Sequence, residues 1–169
     1  MASLLSNKAR HLPPIAIHLR KHIEPDGQYA PHWPSGTILT AFEQERHARP
    51  ARGLLNIAYA AGGGSVLDFD DWWPALASDA EYRPDLCFVA LDSRSGALAA
   101  FAQCWSLGFI KDIAVAAAWR RRGLGKAMML EIFRTFQARG ILEIDLRVTA
   151  DNPSRAPEFY ASLGMVEVD

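Results

Sequence analysis

Cysteine is scarce in this chain: Cys87 and Cys104 are the only two among 169 residues. They are too few and too isolated for a disulfide scaffold or a zinc site, so both read as small buried hydrophobes of a reducing compartment. No surplus of charge exists either. Eighteen Lys and Arg against 19 Asp and Glu leave a formal net charge of -1. That balance argues against a broad nucleic-acid surface, because gripping many phosphates takes clustered excess basic residues. No apolar run is long enough to span a bilayer, and Met1 to Pro14 holds Lys, Arg and His without the apolar centre of a signal peptide. These absences predict a cytoplasmic protein with neither a membrane nor a nucleic-acid partner.

What is present is ordinary globular material, 50% hydrophobic and 22% charged, in a length suited to one good core. Against that background one stretch stands out, Arg120-Arg121-Arg122-Gly123-Leu124-Gly125-Lys126-Ala127. Behind it, Leu124, Met128, Ile132 and Phe136 recur every fourth residue, with Lys126, Glu131, Arg134, Gln137 and Arg139 facing elsewhere, and Gly140 supplies a stop. Ahead of it, residues 109–115 have the branched, apolar content of a buried strand. A strand, a glycine-broken basic turn and a helix together hold an anion well: glycines admit it, unpaired N–H groups point at it and the helix dipole favours it.

Three phosphate motifs share this layout, and spacing separates them. A Walker loop fails, since Ala127 follows Lys126 and the upstream glycine is missing. A dinucleotide fingerprint needs a third glycine where Met128 stands. Arg-x-x-Gly-x-Gly/Ala is met by Arg120, Gly123 and Gly125, and is similar to the acetyl-coenzyme A signature of the GNAT acetyltransferase superfamily. Downstream, residues 142–148 alternate like a half-covered strand, and the segment 151–165, with Asn152, Ala156, Phe159-Tyr160 and Gly164-Met165, also resembles that family. The resemblance covers roughly residues 38 to 168.

The resemblance implies an α/β (α+β) fold: a mixed, strongly twisted sheet of about six strands with helices on both faces. The expected order begins with a strand at 37–42 and helices at 50–61 and 68–76, broken by Gly62-Gly63-Gly64. A hairpin of 86–91 and 97–105 follows, then the strand, turn and helix described above. Residues 1–36 form an N-terminal extension with 1–14 as a loosely held tail and 15–23 as a candidate extra strand; 37–169 form the acetyltransferase domain. The chain stops soon after Gly164, so the family's final strand is expected to be absent, supplied by a second subunit as in a homodimer, or replaced by 15–23.

The resemblance also assigns roles. The fourth and fifth family strands splay, and the pantetheine arm of acetyl-CoA enters the gap. Backbone of Ile113, Ala114 and Val115 bonds the pantetheine and acetyl carbonyl, and the turn from Arg120 through Arg121, Arg122, Gly123, Leu124, Gly125 and Lys126 to Ala127 takes the pyrophosphate. Tyr160 gives a proton to the departing thiolate while an amine of a small molecule or peptide attacks directly. No metal is expected. Asn152 either bonds the cofactor amide or satisfies its own turn. One residue more than the family's usual interval separates it from Tyr160, which places an insertion in the Pro153-Ser154 turn and Pro157 in a helical first turn.

No general base is identified. Arg147 or Val148 stands where some relatives carry a glutamate, and Asp112, Glu143 and Asp145 read as solvent-facing strand positions. Asp68, Asp70, Asp71, Trp72 and Trp73 suit a cationic acceptor, or else a helix cap and an anchor. His18 and His22 read as surface residues, and Trp33 and Trp105 as structural ones. Two other classes remain open: a non-catalytic acyl-CoA-binding module, and a nucleotide-binding protein.

Overall fold

A computed structural model describes residues 15–169; the tail read at 1–14 lies outside the described residues. The elements run β1 (Ala16–His22), β2 (Thr37–Thr40), α1 (Gln44–Tyr59), α2 (Phe69–Ala77), β3 (Cys87–Asp92), β4 (Leu98–Trp105), β5 (Phe109–Val115), α3 (Leu124–Ala138), β6 (Glu143–Thr149), α4 (Ala156–Ser162) and β7 (Val166–Val168). They build one seven-stranded sheet in the order β2-β3-β4-β5-β6-β1-β7, one strand more than the expected six. Only the β5–β6 pair is parallel, so the sheet is mixed.

Each face of the sheet carries its own core. On one side Leu124, Met128, Ile132 and Phe136 of α3, all 1% exposed or less, pack with Phe88, Ala102, Ile110, Ile144, Leu146 and Tyr160. On the other, Ala51, Leu54 and Leu55 of α1 and Trp72 and Leu76 of α2 pack on Cys87, Val89, Phe101 and Ala114. Two sheet faces, each under a helical layer, remove most of the apolar surface from water at roughly 25 cal/mol per Å². Both cysteines are free and buried, and among the described residues no helix is long and apolar enough to cross a membrane.

Two helical expectations shift. The α1 helix begins at Gln44 rather than Pro50, leaving the proline inside it. The reason lies in burial, since His47 and Ala48 extend the inward stripe of Ala51, Arg52, Leu54 and Leu55 toward the N-terminus. The His47 ring also accepts the Glu43 amide at 2.9 Å, which secures the first turn. On α3, Glu131 is buried rather than outward, paired with Arg134 at 2.8 Å.

The edge beyond β6 is built by the N-terminal segment. All seven residues of β1 pair antiparallel with β6, from Ala16–Thr149 to His22–Glu143, and the three-residue β7 pairs with the far side of β1. A polar clasp reinforces the seam. Asp145 accepts from Arg20 Nε at 2.7 Å and Nη2 at 2.8 Å, and His18 Nε2 lies 2.9 Å from it. The Arg20 guanidinium is the main influence holding the Asp145 carboxyl below the usual carboxylate range. Asp145, expected to face solvent, is instead bound into this seam, whereas Glu143 faces solvent as expected while pairing with Arg20 at 3.1 Å.

Candidate active site

The strands β5 and β6 touch only at their start, where Phe109 pairs with Asp145 and Ile110 with Leu146. Gly108 draws them together: its φ is +96°, its carbonyl accepts the Asp145 amide at 2.8 Å, and a Cβ there would sit 2.5 Å from the Glu143 oxygen. From Lys111 to Val115 no strand of the described residues lies on the β6 side of β5, although the opposite edge stays paired with β4 as far as Ala100–Val115. Backbone polar groups of a sheet interior are normally all paired, so an open edge inside a sheet is a place for a ligand's own amides. Ile113, Ala114 and Val115 lie along it.

A bulge decides which side chains flank this gap. Gln103 faces Asp112 across the β4–β5 ladder while Cys104 faces Ile110, which leaves Lys111 as the extra residue. Strict alternation places residues 110 and 112 on one face; the bulge turns Ile110 toward α3 and Asp112 toward α1. Asp112 is therefore 8% exposed, not solvent-facing as the sequence suggested. Its Oδ1 accepts the Tyr59 hydroxyl at 2.8 Å and its Oδ2 accepts Lys111 Nζ at 3.3 Å. Burial and the adjacent Asp112 charge raise the Tyr59 phenol well above its ordinary value.

Arg52, one side of the same α1 stripe, is 2% exposed, stacks 5.2 Å from the Trp72 ring, and donates to the Ser65 carbonyl at 3.1 Å. Burial depresses the affinity of its guanidinium for a proton, against the pull of Asp112 and Tyr59. Sequence reasoning passed over Tyr59, Arg52 and Gln103. The signal was there in Arg52 and Tyr59, two polar residues seven apart on the stripe that carries Ala48, Ala51, Leu54 and Leu55.

The basic turn starts where β5 ends. Arg120 Nε donates to the Val115 carbonyl at 3.0 Å, and Arg122 stacks 5.0 Å over the Trp119 ring. Arg121 (φ +58°) and Gly123 (φ +86°) both take left-handed backbone, and Gly123 caps α3 with no side chain accepting from its first turn. The N–H groups of Leu124, Gly125 and Lys126 therefore lack helical partners, while Ala127 N already bonds the Gly123 carbonyl at 3.0 Å. A Cβ built on Gly123 meets nothing within 4 Å, so the surface over it is open; one on Gly125 comes 3.4 Å from Phe159 and 3.7 Å from Val115. The second glycine thus sits where α3, α4 and the end of β5 meet, at ordinary packing distance from Phe159 and Val115. Successive amides with positive φ at a helix start form a concave donor set that fits a diphosphate.

Tyr160 closes the site from α4. It is 8% exposed, its ring lies 5.3 Å from that of Phe159, and no residue among those described hydrogen-bonds its hydroxyl. Burial alone pushes the phenol up to about 12, so it keeps its proton at neutral pH. Asn152 stands apart: its Oδ1 accepts Ser154 N at 3.0 Å and Ser154 Oγ at 2.5 Å, and its amide nitrogen lies against Gly63. The extra residue of this turn is absorbed by Arg155 in left-handed backbone (φ +56°), with Pro157 in the first turn of α4.

Residues read as acceptor-side split by role. Asp68 caps α2 by accepting Asp70 N at 2.8 Å, and Trp72 is the buried anchor. Trp73 stacks with Phe69, their planes 3° apart. Asp70 pairs on the surface with Arg49 at 3.3 Å. His18 belongs to the β1–β6 clasp and is half-buried. Among the described residues no three His, Cys, Asp or Glu gather as for a metal ion.

Comparison with known proteins places this arrangement. No curated protein matches the chain at the sequence level. Among solved structures it is similar to a GCN5-related N-acetyltransferase from Sphaerobacter thermophilus, with TM-score 0.77 and 23% identity over 92% of this chain and 50% of that one. A tandem GNAT protein from the clavulanic acid biosynthesis pathway gives 0.63 and 18% over 92% and 51%. A GNAT-family structure from Novosphingobium aromaticivorans gives 0.53 and 19% over 91% and 61%. The chain thus spans about half the length of the first of these. The sequence profile of the acetyltransferase (GNAT) family matches residues 51–165, from the middle of α1 to the end of the α4 turn. With that match over two thirds of its length, and a sheet that opens where the signature turn begins, the chain belongs to the GNAT acetyltransferase family.

Proposed function

We propose that the protein is an N-acetyltransferase that moves the acetyl group of acetyl-CoA to a primary amine by direct attack, with Tyr160 as the proton donor. The observation that carries this reading is the unpartnered Tyr160 hydroxyl, on a nearly buried ring of the core against which Ile113 and Val115 of the open β5 edge pack.

The residues present fit the co-substrate. Arg121 and the amides of Gly123 to Lys126 hold a diphosphate, and the open edge at Ile113, Ala114 and Val115 extends the ladder to a pantetheine amide. Acetyl-CoA supplies an activated acetyl thioester. An amide at the open edge is a fixed donor for the carbonyl oxygen as it becomes negative, and holding both partners there removes much of the entropic barrier. Tyr160, protonated at neutral pH, meets the sulfur as it leaves. Asn152, whose carbonyl oxygen is spent on its own turn, serves this scheme by bracing the glycine loop 62–64.

The test is a thiol-release screen of purified protein with acetyl-CoA against polyamines, amino acids, aminoglycosides and peptide N-termini. Turnover of one class, lowered about 100-fold or more in Tyr160→Phe with CoA binding retained, is the expected result. Binding of CoA without turnover of any amine would favour the non-catalytic module, and preference for ATP or NAD over CoA would remove both readings.

A further inference from the structure

We propose that Asp112 receives the acceptor's amine, docking it as an ammonium and taking its proton, with Tyr59 as the positioning residue that aims the carboxylate. This inference rests on the acetyltransferase reading above and names its missing base.

Three observations carry it. First, the bulge at Lys111 brings Asp112 to the α1 face one residue before Ile113, at the mouth of the open edge. Tyr160 belongs to the core on the other face. A proton acceptor and a proton donor thus flank the gap from opposite sides, as an amine arriving on one side and a thiolate leaving on the other require. Second, Asp112 Oδ1 is fixed by the Tyr59 hydroxyl, whereas Oδ2 holds only the ammonium of Lys111 at 3.3 Å, on a side chain 39% exposed. An ammonium therefore already occupies the oxygen on which the acceptor docks, and a substrate ammonium replaces it charge for charge. Third, the surroundings hold an unsatisfied acceptor. Gln103, fully buried and opposite Asp112 in the ladder, has an Oε1 with no partner among the described residues. A carboxylate and an unfilled carbonyl oxygen side by side suit a ligand group with several N–H donors. The charged and titratable neighbours of Asp112 are Tyr59 and Arg52 on α1 and Lys111 on its own strand.

The step balances. The ammonium passes one proton to Asp112, and the freed nitrogen pair forms the C–N bond as the C–S bond breaks. Tyr160 gives its proton to sulfur, and the second proton lost by nitrogen restores the phenol through solvent, so one proton is released per turnover.

The experiment measures acetyl transfer by Asp112→Asn, Tyr59→Phe and Lys111→Met, using whichever amine of the screen above the wild type turns over best, alongside CoA binding by calorimetry. For Asp112→Asn the expected loss in kcat/KM is ~100-fold or more at neutral pH, with CoA affinity unchanged. The deficit shrinks by about tenfold per pH unit toward the amine's own pKa, because free amine no longer needs a base. A damaged fold gives no such recovery. Tyr59→Phe falls less, mainly in kcat, and Lys111→Met lowers the KM for the amine. An active wild type whose Asp112→Asn variant keeps its neutral-pH rate, or loses it equally at every pH, overturns the inference and leaves the acetyltransferase reading standing. An unchanged KM in Lys111→Met removes Oδ2 as the docking atom. No turnover of any amine by wild type with CoA bound takes away both readings together.

Discussion

The two edges of β6 are opposites. On one side β1 pairs with it through seven consecutive residues and an Arg20–Asp145 clasp, while on the other β5 pairs through two and then turns away. The difference shows that the opening is held by what lies behind it. With β6 tied along its whole length to β1, the strand keeps a full-length partner where β5 leaves it, and the β5 edge stays unpaired on that side beyond Ile110. The N-terminal strand thus acts as a structural brace to a site it does not enter.

The comparison can be broken at its open edge first, where the largest effect is expected. Tyr160→Phe keeps the ring and the core but removes the proton, so kcat should drop by about 10²–10⁴-fold, read by thiol release, with the melting temperature held. The closed end comes next. Gly108→Ala sets a methyl against the Glu143 carbonyl in left-handed backbone, and should cost roughly 2–3 kcal/mol of stability by chemical denaturation as the start of the β5–β6 pair is forced apart. Gly123→Ala meets no neighbour, so its cost is the left-handed φ alone. About 1–2 kcal/mol of strain in the phosphate-binding conformation should weaken CoA binding roughly tenfold by calorimetry, with little change in fold.

The smallest effect belongs to the braced side. Asp145→Asn loosens the clasp and should lower Tm by about 2–4 °C at neutral pH, modest because Arg20 and His18 are partly solvated. The sign with pH follows from the direction of the shift. Asp145 is held below its unfolded value, so its contribution is complete above about pH 4 and is lost as pH falls through the lower folded value. In Asp145→Asn that part of the acid slope should vanish, and an unchanged slope would detach the clasp from the stability of β1.

Local patterns made much of this legible. The fourfold spacing of Leu124, Met128, Ile132 and Phe136 marks α3 because a helix returns to the same face about every fourth residue, and all four are buried. Gly123 and the turn before it were readable because a left-handed cap needs glycine. The limits were equally physical. Pro50 reads as a helix start, yet burial of the preceding turn outweighs the lost hydrogen bond. Asp112 reads as a solvent-facing strand position, since nothing local in Lys111-Asp112-Ile113 announces that one residue will be squeezed out of the β4 ladder. The final strand was left among three outcomes, absence, a second subunit or replacement by 15–23; the structure sets β1 against β6 and keeps a short β7 beyond it, because strand pairing is decided by partners far along the chain.

By itself, then, the order of residues determined helix α3 and the glycine-broken basic turn that precedes it, both of which depend on neighbours within a few positions. Tertiary structure alone decided that β5 and β6 part after two residues, that a bulge turns Asp112 inward to meet Tyr59, and that a strand from the far end of the chain braces the opening. Those features are contacts between segments distant in sequence, and their free energies exist only once the sheet has brought the segments together.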